Sequence, residues 1–149
     1  LIVLHTMSKA WGQAAIRLGM AFASEDIVTI MNKVKYPYNI NTLTQQQAIS
    51  ALRDQEQTDK QVKFLIQERQ RMSAAIRMLP LCENVYPSDA NFLLVKTLNA
   101  QSIYDTLVKR GIIVRNRHKI TLCDNCLRIT IGTKTENNEL LAALRDIRG

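Results

Sequence analysis

Near the middle of the chain, Val62, Leu65, Ile66, Met72, Ile76 and Leu79 recur at helical spacing, and Pro80 ends the run. This spacing predicts one helix over about Asp59 to Leu79. At ~1.5 Å per residue it spans roughly 30 Å, the width of a small domain and enough to bridge two of them. The fold therefore has to provide for chain on both sides of a long helix, with a boundary near Pro80.

Beyond Pro80 the pattern alternates. Asn91 to Lys96 reads as a strand after the Pro87-Ser88-Asp89 turn, and Asn99 caps a helix carrying Ile103, Leu107 and Val108 that Gly111 ends. Ile112 to Arg115 and Leu127 to Ile131 read as strands. In the second of these, Leu127, Ile129 and Ile131 share one face, while Arg128 and Thr130 share the other. Thr135 is expected to cap a last helix with Leu140, Leu141, Leu144 and Ile147. The expected result is a small sheet with helices on one face.

Before the long helix, Leu1 to Leu4 is an apolar run that reads as a buried strand, and Arg17 to Ala23 reads as a second strand. Ser24-Glu25-Asp26 starts a helix running to about Lys35, and Tyr36-Pro37-Tyr38-Asn39 is a loop. Thr44-Gln45-Gln46-Gln47 has the form of a capping box for a helix through Arg53.

Between the first two strands stands His5-Thr6-Met7-Ser8-Lys9-Ala10-Trp11-Gly12, followed by Arg17-Leu18-Gly19. A lysine leaving a buried strand loses solvent from its ammonium, which lowers its pKa and frees the amine as a nucleophile. Ser8 places a hydroxyl beside it, and Arg17 a permanent cation able to grip a phosphate. Gly12 and Gly19 are expected to allow backbone geometries that a side chain would obstruct. An amine, a phosphate grip and a tight turn suit pyridoxal phosphate, whose aldehyde condenses with a lysine.

The string Ser8-Lys9-Ala10-Trp11-Gly12 with Arg17 and Gly19 closely resembles the cofactor-lysine motif of the fold-type I, class I and II aminotransferases. The branch it resembles is the one containing histidinol-phosphate aminotransferase. The resemblance covers essentially the whole chain and implies that Lys9 is the catalytic, cofactor-bearing lysine and that Ser8 and Arg17 bind the cofactor phosphate. Leu127-Arg128-Ile129-Thr130-Ile131-Gly132 resembles the family's substrate-anion motif, so Arg128 is expected to bind substrate. Arg115, in Gly-Ile-Ile-Val-Arg, matches a second arginine of that branch. Asn91 and Phe92, in Ser-Asp-Ala-Asn-Phe, match a segment near the active site, with ordinary turn chemistry as the other reading of Asn91. Asn39 resembles a stretch near the site and the dimer interface. Arg117 is off the motif and reads as surface, Trp11 as packing, and His5 as an ordinary polar residue.

The resemblance implies an α/β fold: the C-terminal part of a fold-type I pyridoxal-phosphate transferase. Residues 1–57 would be a remnant of the large cofactor domain, 58–80 the inter-domain helix, and 81–149 the small α/β domain. The implied reaction moves an amino group between L-histidinol phosphate, a phosphorylated amine, and 2-oxoglutarate, a 2-oxo acid, in a homodimer. Upstream residues of the family, including the aspartate that pairs with the cofactor ring nitrogen, have no counterpart in this sequence, so the isolated chain is expected to be inactive. Another fold-type I aminotransferase (aromatic or aspartate), a threonine-phosphate decarboxylase, and a non-catalytic α/β dimerisation module are the alternatives. Arg115 favours the phosphorylated substrate.

Composition narrows the partners. The net charge of +7 is scattered rather than gathered beside aromatic side chains, which disfavours nucleic acid. No apolar run is long enough to span a bilayer. Three cysteines, an odd number, argue against a disulfide framework and for a reducing cytoplasm. Cys123-x-x-Cys126 lacks further ligands at useful spacing, so no metal site is expected.

Overall fold

The computed structural model describes residues 1–38 and 40–147. The chain divides into two compact units, Leu1–Val62 and Lys63–Gly149. Asn39 lies outside the described residues, and with it the reading that places it near the site and a dimer interface.

In the first unit, β1 (Val3–Thr6) and β2 (Gly19–Phe22) form a two-stranded antiparallel sheet, with Val3 opposite Phe22 and Thr6 opposite Gly19. A 3-10 turn over Ala14–Ile16 lies between them. Helix α1 (Glu25–Val34) follows Ser24, and α2 (Thr42–Arg53) follows Asn41. Three expectations change here. The second strand covers only Gly19–Phe22, because Arg17 closes the 3-10 turn in a left-handed conformation instead of extending the strand. The first strand begins two residues later than the apolar run, and every residue of β1 is exposed, because it has one hydrogen-bonded neighbour and no layer of this unit covers it. Helix α2 starts before the predicted capping box, since Asn41 Oδ1 accepts the Thr44 N–H at 2.9 Å. Asparagine leaves its amide oxygen free for this bond and caps as well as serine.

The long helix is α3 (Gln55–Arg77), 23 residues, which crosses from the first unit into the second. It begins four residues earlier than the periodicity predicts. In the second unit the sheet has the order β3-β4-β6-β5, antiparallel throughout. Its strands are β3 (Cys82–Val85), β4 (Phe92–Thr97), β5 (Arg115–Asn116) and β6 (Cys126–Thr130). Strand β3 is an addition to the sequence reading, and β5 is only two residues long where Ile112 to Arg115 was expected.

Helices α4 (Ala100–Lys109) and α5 (Lys134–Asp146) join the end of α3 over one sheet face. Met72 and Ile76 from α3, Ile103 and Leu107 from α4, and Leu141 and Leu144 from α5 enclose Leu93, Val95, Leu127 and Ile129. Alternation along β6 thus sends its aliphatic side chains into the core and leaves Arg128 on the opposite, open face. Asn99 Oδ1 accepts the Ser102 N–H at 3.0 Å, so the predicted cap of α4 stands. Helix α5 is capped by Thr133 rather than Thr135: Thr133 Oγ1 accepts from Glu136 N, and Glu136 Oε2 accepts from Thr133 N at 2.7 Å.

Candidate functional site: a lysine loop and an arginine face

The lysine loop is closed by backbone bonds at both ends. Met7 N–H donates to Leu18 O at 3.2 Å, Gln13 N–H to Met7 O at 2.9 Å, and Gly12 N–H to Lys9 O at 2.9 Å. Met7 is completely buried and is the centre around which the loop turns. Thr6 Oγ1 accepts the Ser8 N–H at 3.1 Å and lies 3.0 Å from Ser8 Oγ, so the serine hydroxyl is held at the strand end. Lys9 projects into solvent, so the water-poor setting expected for it is not made by the residues of this unit.

Gly12 has φ of +65°, a conformation that favours glycine, while the space where its Cβ would go is open. Its role is thus backbone shape rather than clearance. Gly19 has no left-handed φ, so the expected glycine-only geometry is met at Gly12 and not at Gly19, where a Cβ would lie 3.6 Å from His5 O, an ordinary contact. Arg17 also adopts a left-handed conformation, φ 55°, which costs a non-glycine residue about 1 kcal/mol or more. The cost is offset locally, because Arg17 Nη1 donates to Ala14 O at 3.0 Å and the Arg17 N–H turns back to the same oxygen. Amine, hydroxyl and guanidinium therefore belong to one closed loop.

The second cluster lies on the open face of the four-stranded sheet. Arg115 stands directly opposite Arg128, and Asn116 opposite Leu127. The Arg128 guanidinium lies over the Phe92 ring, with Cζ 5.1 Å from the ring centroid. Arg128 Nε is buried and has no hydrogen-bond acceptor among the described residues. Burial lowers the Arg128 pKa from its ordinary value, and the charges of Arg117 and Arg115 add to that effect. An arginine so placed is a donor fork held by an aromatic plate and short of an acceptor, a suitable seat for a carboxylate or phosphate.

Asn91 enters differently. Its carbonyl accepts the Ile131 N–H at 2.9 Å, which ties the start of β4 to the end of β6, while its side chain is exposed. Arg69 Nη1 donates to Ala90 O at 2.8 Å and steadies the preceding turn. Phe92, which the sequence reading places beside Asn91 in a segment near the site, meets Arg128, while Arg117, read as surface, is half-buried. Two-residue alternation from Arg115 was the available signal for Arg117. Among the described residues no group of three or more His, Cys, Asp or Glu side chains is placed to hold a metal ion.

Residues 1–144 match the family model of aminotransferase class I and II. The chain belongs to that family. It is 55% identical over 149 residues to the histidinol-phosphate aminotransferase of Bacteroides thetaiotaomicron, covering all of this chain and 43% of that protein. The histidinol-phosphate aminotransferase structure from Clostridium acetobutylicum aligns with TM-score 0.88 and 26% identity over 97% of this chain and 45% of that one. The structure from Sinorhizobium meliloti, solved in complex with pyridoxal-5'-phosphate, aligns with TM-score 0.83 and 26% identity over 97% of this chain and 40% of that one. This class I and II aminotransferase chain thus spans less than half the length of the relatives it matches. The shared α/β fold is that of the fold-type I enzymes, and the two small sheets described above are its parts in this chain.

Proposed function

We propose that the protein carrying this chain is a pyridoxal-phosphate-dependent aminotransferase that takes the amino group of L-histidinol phosphate and passes it to 2-oxoglutarate. The observation that carries this reading is the closed loop from Met7 to Leu18, which carries an amine, a hydroxyl and a guanidinium along its length. The donor set fits the cofactor: Ser8 and Arg17 would hold its phosphate, and Lys9 would take its aldehyde. The bound cofactor supplies the electron sink that stabilises charge at the substrate α-carbon.

The residues of the chain do the rest. Lys9 Nζ holds the cofactor between turnovers, then carries the proton leaving the α-carbon. Arg128, set by Phe92 and with Arg115 across the ladder, anchors the anionic end of the substrate and fixes which α-carbon bond is presented for cleavage. We assign Asn91 to the entrance of the substrate site, through its hold on the end of β6. Residues 1–57 are read as part of a large cofactor domain, 58–80 as the inter-domain helix and 81–149 as the small domain. The assembly is read as a homodimer without nucleic acid, working in the cytoplasm. No helix among the described residues is long and apolar enough to cross a membrane.

The test is reductive trapping. The full-length protein is mixed with pyridoxal phosphate, reduced with borohydride and mapped by peptide mass spectrometry. Label is expected on Lys9 alone, and turnover is expected with L-histidinol phosphate in preference to aromatic amino acids or phosphothreonine. Label spread over many lysines, or preference for one of the other substrates, would overturn the reading. The 149-residue chain by itself is expected to show no turnover.

A further inference from the structure

We infer that Arg117 is a substrate-specificity residue, a third cation on the Arg115–Arg128 face that selects a phosphate ester over a carboxylate. The inference rests on the reaction proposed above and concerns its substrate. The placement comes from the ladder. Asn116 opposes Leu127, and Leu127 is fully buried in the core. Asn116 Nδ2 donates to Gln101 Oε1 of α4 at 2.8 Å, which confirms that position 116 faces the helices. One residue on, the Arg117 N–H donates to Cys126 O at 2.8 Å, so the pairing continues past β5. Alternation then puts Arg117 on the same open face as Arg115 and Arg128.

The backbone at Arg117 is held on both sides. Its carbonyl accepts the Ile120 N–H at 2.8 Å, Asn116 Oδ1 accepts from His118 N, and His118 Nδ1 accepts from Asn125 N at 3.0 Å. Arg117 is half-buried, yet among the described residues neither it, Arg115 nor Arg128 has a carboxylate partner. The charges of Arg117 and Arg115 both act on Arg128. Three like charges on one short ladder repel one another, whereas a random surface arginine would swing away into water. A carboxylate needs one guanidinium fork, but a phosphate monoester carries about −1.5 to −2 charge on three acceptor oxygens. Three arginines around one face answer that charge.

The test compares Arg117→Gln and Arg117→Lys with the wild type in the full-length protein. Arg117→Gln is expected to raise KM for the phosphorylated amine about tenfold, the loss of one charge-assisted contact, while kcat and KM for 2-oxoglutarate change less than about twofold. Arg117→Lys should restore part of the loss. Inorganic phosphate, used as a direct probe by competition and by thermal shift, should bind Arg117→Gln correspondingly more weakly. Removing a charge at the exposed end of α4, in Lys109→Gln, should leave all of these values alone. An unchanged KM ratio, or equal weakening of both substrates, overturns the inference. A wild type that does not use the phosphorylated amine overturns the proposed reaction instead, and the inorganic-phosphate comparison then decides whether Arg117 is an anion ligand.

Discussion

Glu68 offers the sharpest test of how the second unit is held together. It is 6% exposed in the middle of α3, a costly place for a carboxylate unless its oxygens are satisfied. Arg71, one turn on, donates from Nε at 2.8 Å and from Nη2 at 2.7 Å, and Asn137 of α5 donates from Nδ2 at 3.0 Å. Asn137 in turn accepts the Gly132 N–H and donates to Gly132 O, both at 3.0 Å, just beyond the strand that carries Arg128. The Arg71 fork, aided by Asn137, outweighs desolvation and holds the Glu68 pKa at about 2, against 4.5 for a free carboxyl. At about 1.4 kcal/mol per pKa unit, that displacement is worth about 3 kcal/mol at most. Arg71 is 37% exposed, so solvent screening reduces the figure to about 2 kcal/mol.

The sign follows from the depressed pKa. The stabilisation is fully present above about pH 4.5 and fades as the pH falls towards 2, because protons then favour the unfolded chain. Glu68→Gln keeps the shape, removes the charge and turns an amide donor towards Arg71 or Asn137. Hydrogen exchange at the amides of residues 131–137 reads the change locally, whatever the stability of the rest of the protein. At pH 7 the variant should exchange about 30-fold faster than wild type, equivalent to about 2 kcal/mol, and more than half of that difference should vanish by about pH 3. A difference of less than threefold at pH 7, or one that does not vary with pH, would refute the reasoning. The contribution would then come from shape rather than charge.

Two further predictions concern the same unit. Thr133→Ala should cost α5 about 1 kcal/mol and Thr133→Ser little, read as hydrogen exchange in its first turn; equal losses from both would show that the capping box is not what holds the end. Burial pushes the Cys126 thiol above its usual range, and the residue is 1% exposed. Iodoacetamide near pH 8 should therefore label Cys126 only after denaturant is added, and rapid labelling of the native protein would contradict its placement.

Much of the second unit was legible in the chain because its signals are local. The apolar period of α3, the Asn99 cap and the alternation in β6 each depend on neighbours a few residues away; the cap and the alternation appear as expected, while α3 starts earlier than its period and leaves Ile66 exposed. Strand β3 was missed because Cys82-Glu83-Asn84-Val85 has one fully buried side chain and pairs with β4 through an irregular register, so no clean alternation marks it. The cap of α5 was displaced because Thr133 and Thr135 both precede acceptable helix, and only the reciprocal bonds with Glu136 choose between them. In the first unit, hydrophobicity suggested a buried strand where a two-stranded sheet leaves β1 exposed.

The residues proposed for the site divide in the same way. Ser8, Lys9, Arg17, Arg115 and Arg128 could be named from a string of letters, because their chemistry and spacing are written in adjacent residues. Their surroundings could not. That Arg17 takes a left-handed backbone, that Phe92 lies over Arg128, and that Glu68 reaches Asn137 across 69 residues all depend on contacts closed by folding. Sequence alone determined which groups are available and along which element each is strung. Tertiary structure decided which face each group occupies and what it meets there, because burial and hydrogen bonding are set by neighbours in space rather than along the chain.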